Sequence, residues 1–108
     1  MRSEEGFEVM ELSGEVDLHY APTVRKGILA VLEGSRDLLV NLSQVDTIDS
    51  SGIATLVEAF QLAKSKGLNF GLLDISETVS DVLTLTRLNK VFPIWEDLES
   101  YVAAEKGH

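Results

Sequence analysis

An α/β fold, with a small mixed or parallel β-sheet flanked by α-helices, is the architecture that this 108-residue sequence predicts. Three observations point to it. Short apolar runs alternate along the chain with longer stretches whose apolar residues recur every three or four positions. One run, Leu38-Leu39-Val40-Asn41-Leu42, is apolar almost throughout, as suits a central, parallel strand covered on both faces. Helix punctuation falls between the runs, with Pro22 at a start and Gly34 and Gly67 at stops.

The elements follow in order. Phe7 to Leu12 alternates well enough for a half-buried strand, and residues 1–5, beyond a turn at Gly6, form a partner strand or a frayed end. Ser13-Gly14-Glu15-Val16-Asp17 then closes that strand and enters a loop. Pro22 opens a helix whose apolar face is Val24, Ile28, Leu29 and Leu32, weakened by Gly27 and ended by Gly34. After the Leu38–Leu42 strand, Ile53, Leu56, Val57 and Phe60 give a second core-facing helix. Lys64 and Lys66 lie at its negative end and Gly67 stops it. Phe70 to Leu73 is a third strand. Ser76 or Thr78 caps a helix carrying Val79, Val82, Leu83 and Leu85, which ends at Leu88-Asn89-Lys90. An extended piece, Val91-Phe92, precedes Pro93, and a last helix carries Leu98, Tyr101 and Val102, fraying from Glu105. Residues 1–108 form one domain.

Composition narrows the function. Hydrophobic residues make up 44%, enough for a single core. Nine Lys and Arg against eighteen Asp and Glu leave a formal charge of −9, which argues against nucleic-acid binding and suits a partner with a basic face. Without cysteine there is no disulfide, thiolate metal site or thiol nucleophile. No apolar run approaches the roughly 18 residues of a membrane span, and Met1 to Glu5 lack a signal-peptide core, so the expected location is cytoplasmic.

Enzyme chemistry finds little support. The Gly-x-Ser-x-Gly pattern of a nucleophile elbow is absent, and His19 is the sole internal histidine available as a base. Phosphate-cradling glycine motifs are also absent. Asp17, Asp46 and Asp49 offer oxygen ligands of the kind magnesium takes, but three loop aspartates serve more simply as caps or solvated charge. Neither a metal nor a cofactor is called for. Trp95, beside Pro93 and Ile94, reads as partly buried.

The junction Asp49-Ser50-Ser51-Gly52 carries more information. It lies where a buried strand hands over to a helix, and serine there is a preferred N-cap, its oxygen accepting a first-turn amide. The same helix end favours an added anion. Ser50 is therefore either a cap or a switchable phosphate site. Two adjacent serines exceed the need for one cap. Gly52 and Ala54 are small enough to admit a partner's backbone, and the topology should bring Asp17 close to Asp49 and Ser50. A phosphate on Ser50 would add about −1.5 to −2 charges to an already acidic surface, and a docked partner would meet repulsion and lost shape fit without a large structural change.

These residues resemble a known family. Gly14-Glu15-Val16-Asp17 before a Pro-started helix, then Val40-Asn41-Leu42-Ser43, then Asp49-Ser50-Ser51-Gly52-Ile53, look like the STAS domain, in particular the bacterial anti-sigma factor antagonists. The resemblance implies the STAS fold and a partner-switching regulator that is not an enzyme. It implies binding to an anti-sigma factor that is also a serine kinase, ATP-dependent phosphorylation on Ser50, and reversal by a PP2C-type phosphatase. It places Asp17 beside the phosphoacceptor and Asp49, Ser51 and Gly52 in the docking surface, in a monomer or weak dimer. The alternative is a STAS accessory subunit of a lipid ABC transporter, or an unphosphorylated STAS interaction domain, in which the junction only caps. Two departures from the family pattern stand out. The stretch before Gly14 is short, implying a shortened first strand, and Ala54 replaces a frequent glycine.

Overall fold

A computed structural model describes residues 2–4 and 7–106, with side chains described from 7 to 104. Strand β1 (Arg2–Glu4) precedes β2 (Phe7–Val16), α1 (Ala21–Glu33), β3 (Asp37–Ile48) and α2 (Ser50–Ser65). β4 (Phe70–Leu73), α3 (Glu77–Leu85), a 3₁₀ turn (Leu88–Lys90), β5 (Ile94–Trp95) and α4 (Leu98–Lys106) complete the chain. The strands form one sheet in sequence order. β1 pairs antiparallel with β2, and every later neighbour is parallel, so the sheet is mixed.

Alternation along the strands divides the interior into two layers. Leu38, Val40 and Leu42 of β3 face a large core shared with Val24, Ile28 and Leu32 of α1, Leu56 and Ala59 of α2, and Val79 and Leu83 of α3. Leu39 points the other way, to Phe7, Val9, Leu73 and Tyr101, a smaller core closed by α4. Tyr101 holds this second layer by edge-on ring contacts with Phe7 at 5.1 Å and Trp95 at 5.6 Å. Asp97 immediately precedes the helix that covers it, and its carboxylate accepts the Ser100 amide at 2.8 Å. That bond holds the exposed carboxyl below its ordinary value. On the other face, Arg25 and Glu58 link α1 to α2 at 2.7 Å, but both are half exposed, and such pairs contribute at most about 1 kcal/mol.

Several expectations need correction. The first full strand is neither shortened nor closed at Ser13. It runs ten residues to Val16, keeping its pairing with β3 through register shifts between Glu11 and Ser13 and between Gly14 and Glu15. Gly14 ends no strand; its φ of +71° fits the bulge. β3 likewise continues past Leu42 to Ile48. The buried stripe of α2 is Gly52, Thr55, Leu56, Ala59 and Ala63, while Ile53, Val57 and Phe60 are only partly covered. In α1, Leu29 is half-buried and Val31 takes a fully buried place. Leu85, expected in the core, is 85% exposed, because it follows Leu83 by two residues and points to the far side of α3. The last extended piece is Ile94–Trp95, not Val91-Phe92. Gly34 ends α1, yet the left-handed residue is the next one, Ser35, at φ 60°. The helix α4 includes Glu105 and Lys106. The turn at Gly6 and the fraying of Gly107 and His108 lie outside the described residues.

Candidate functional site

β3 delivers the chain to α2 at Ile48, and the junction is built by Asp49. Its backbone is extended, at φ −101° and ψ −174°, and its carboxylate accepts the Gly52 amide at 3.0 Å, so Asp49 is the N-cap. The same carboxylate accepts the Leu18 amide at 3.2 Å, from the loop between β2 and α1. The Asp49 amide in turn donates to the Val16 carbonyl at 3.2 Å. One residue thus caps a helix and joins two loops distant in sequence.

Asp49→Ala removes both side-chain bonds and is expected to cost about 1–2 kcal/mol. Urea unfolding with an unchanged slope measures it. Asp49→Asn keeps one acceptor oxygen and should lose less.

With the cap supplied by Asp49, Ser50 is not one. It is the first residue of α2, it is exposed, and its hydroxyl makes no hydrogen bond to a described residue. Ser51 is half-buried, and its carbonyl accepts the Thr55 hydroxyl at 2.9 Å. Gly52 is buried. A Cβ there would lie 2.7 Å from both the Val16 carbonyl oxygen and Ile48 Cγ1. The close approach that Gly52 permits is therefore to its own strands, and only Ala54 of the two small residues is exposed.

Asp17 is half-buried and organises the start of α1. Its carboxylate accepts the amides of His19 at 3.0 Å and Tyr20 at 3.1 Å, and its carbonyl accepts that of Ala21 at 2.8 Å. The Asp17 turn and the Ser50 junction are adjacent through the Leu18–Asp49 bond, as the topology suggested. Asp46 is exposed on β3.

Among the described residues, no three His, Asp or Glu side chains are placed to hold a metal ion. No described helix is long and apolar enough to cross a membrane. A cavity of about 10 Å³ between α1 and α2, lined by Arg25, Ile28, Thr55 and Glu58, is too small for a substrate. The site is a surface: an acidic, hydroxyl-bearing helix start beside a rigid turn.

Sequence reasoning credited the cap to serine. The available signal was Asp49 itself, an equally good capping type three residues before a glycine. It also passed over Leu18, which is 66% exposed beside the junction.

The family model for the STAS domain matches residues 1–101. The chain belongs to the STAS domain family. Among relatives of this STAS domain, the anti-sigma-B factor antagonist of Bacillus subtilis is 28% identical over 85 residues, covering 79% of this chain and 78% of that protein. A crystal structure of an anti-sigma factor antagonist from Mycobacterium paratuberculosis is 28% identical, with a TM-score of 0.82 over 95% of this chain and 88% of the other. The unphosphorylated form of the anti-sigma factor antagonist SpoIIAA shares the fold, with a TM-score of 0.77 at 24% identity over 93% of this chain and 88% of that one.

Proposed function

We propose that this STAS domain is an anti-sigma factor antagonist whose binding is switched off by phosphorylation of Ser50. The observation that carries the reading is the exposed, uncapping Ser50 hydroxyl at the first residue of α2, in a chain similar to proteins named as such antagonists. The partners are an anti-sigma factor that doubles as a serine kinase and a PP2C-type phosphatase, met in the cytoplasm. This chain is the substrate and not the catalyst. The Ser50 oxygen attacks the γ-phosphorus of ATP held by the kinase, the bond to the ADP oxygen breaks, and the hydroxyl proton passes to a kinase base.

The product is tolerated by the fold and rejected by the partner. The phosphate sits at the positive end of α2, which favours it. Asp17 and Asp49 already make the junction negative, and the modification adds about −1.5 to −2 charges. A partner matched to the bare hydroxyl has to strip water from that dianion and make room for it, which costs more than attraction from its basic groups returns. A net loss of about 1.4–2.7 kcal/mol weakens affinity by about ten- to a hundredfold. Asp17, Asp49 and Ser51 complete the surface, and the buried Gly52 lets the helix start seat against β2 beneath it.

The test mixes the protein with its cognate kinase and ATP and maps phosphate by mass spectrometry. Phosphate is expected on Ser50, with Ser50→Ala unlabelled but still binding and Ser50→Glu binding about tenfold or more weakly. Phosphate elsewhere, or full binding by Ser50→Glu, overturns the reading and leaves a STAS domain whose junction only caps.

A further inference from the structure

We propose that Leu18 is the apolar anchor by which the antagonist surface docks, and that it enters a socket on the kinase rimmed by Arg or Lys. The proposal rests on the reading of Ser50 as the switch.

Nothing in the fold asks for leucine at position 18. The side chain is 66% exposed, and the bond that fixes the residue comes from its backbone amide, which any residue except proline supplies. Turns favour Gly, Asn, Asp or Ser, each for a local reason that leucine lacks. Lone exposed apolar residues are common, and two other large ones, Leu85 and Val91, occur among the described residues. Leu18 differs in what holds it. Its amide is bound by the carboxylate that caps the helix beginning at Ser50, so the side chain is displayed in fixed relation to the phosphoacceptor. The flanking turn is fixed as well, through the His19 and Tyr20 amides on Asp17. A pre-positioned side chain loses little freedom on binding. The surroundings define the occupant. Asp17, its chain neighbour, and Asp49, which holds its amide, flank the leucine, so a complementary surface is apolar at its centre and basic at its rim. Phosphate on Ser50 then lands beside the anchor, where its bulk and hydration shell keep the socket from closing.

The experiment measures binding of the wild type, Leu18→Ala, Leu18→Met, Leu85→Ala and Ser50→Glu to the purified anti-sigma kinase of the same organism. Urea midpoints confirm that each variant folds. Leu18→Ala is expected to bind about ten- to a hundredfold more weakly. As a phosphorylation substrate it should show a raised KM with kcat little changed. Leu18→Met should restore most of the affinity, and Leu85→Ala, at the far end of α3, should match the wild type. If Ser50→Glu is impaired but Leu18→Ala binds within about twofold of the wild type, the anchor is wrong and the switch stands. If Leu85→Ala weakens binding as much as Leu18→Ala, the effect is general apolarity and the anchor is again wrong. If Ser50→Glu binds fully, the parent reading fails, whatever Leu18 does.

Discussion

Gly52→Ala is expected to destabilise the protein by about 2–3 kcal/mol, although alanine is the better helix former by about 1 kcal/mol. The sign is set by two contacts. The added methyl would lie 2.7 Å from the Val16 carbonyl oxygen and 2.7 Å from Ile48 Cγ1, with Val16 Cγ1 at 2.9 Å. A flexible side chain could swing aside. A strand carbonyl cannot, and the Val16 oxygen is already committed, since it accepts the Asp49 amide. The start of α2 must therefore move away from β2, straining the bonds from Asp49 to Gly52 and Leu18. Urea unfolding of Gly52→Ala gives the magnitude. Hydrogen exchange at the Leu18 amide should accelerate more than exchange in β4, which a uniform loss of stability would not produce.

Leu72→Ala should cost as much or more, about 2–5 kcal/mol, out of the roughly 5–15 kcal/mol that holds a small domain folded. Leu72 is 0% exposed in a four-residue strand of which every member is buried. Its side chain belongs to the large core under α1, α2 and α3, and its amide donates to the Pro93 carbonyl at 2.9 Å. The cavity opens where the sheet is covered by packed helices and cannot easily collapse. Chemical denaturation should show a lower midpoint with an unchanged slope. The same substitution at Leu85, 85% exposed, should stay within about 0.5 kcal/mol of the wild type.

These two positions also mark what the sequence could and could not reveal. The β4 run, bounded by Gly67 and Asp74, was legible to the residue, because a short apolar run between breakers has few alternatives. Val24, Ile28 and Leu32 of α1 were legible from spacing, and Ser76, one of two candidate caps of α3, from residue type; it takes the Val79 amide at 3.3 Å. Ser13-Gly14 misled because a glycine in a strand reads as a stop, whereas pairing with β3 carries the chain through a bulge. Val91-Phe92 misled because the 3₁₀ turn draws those residues in, through the bonds from their amides to the Leu88 carbonyl. At the site, Ser50 and its neighbours were identifiable by motif. What Gly52 packs against depends on Val16, which is distant in sequence and near only after folding.

The sheet's two-sided construction has a practical consequence for assays. The lone tryptophan, Trp95, belongs to the α4 side, edge-on to Tyr101, whereas α2 lies over the opposite face. Its fluorescence is a gauge of whether the rear helix is seated. A reporter of the serine's chemical state must be installed on the other side, where an indole introduced next to Ala54 would view the helix mouth directly.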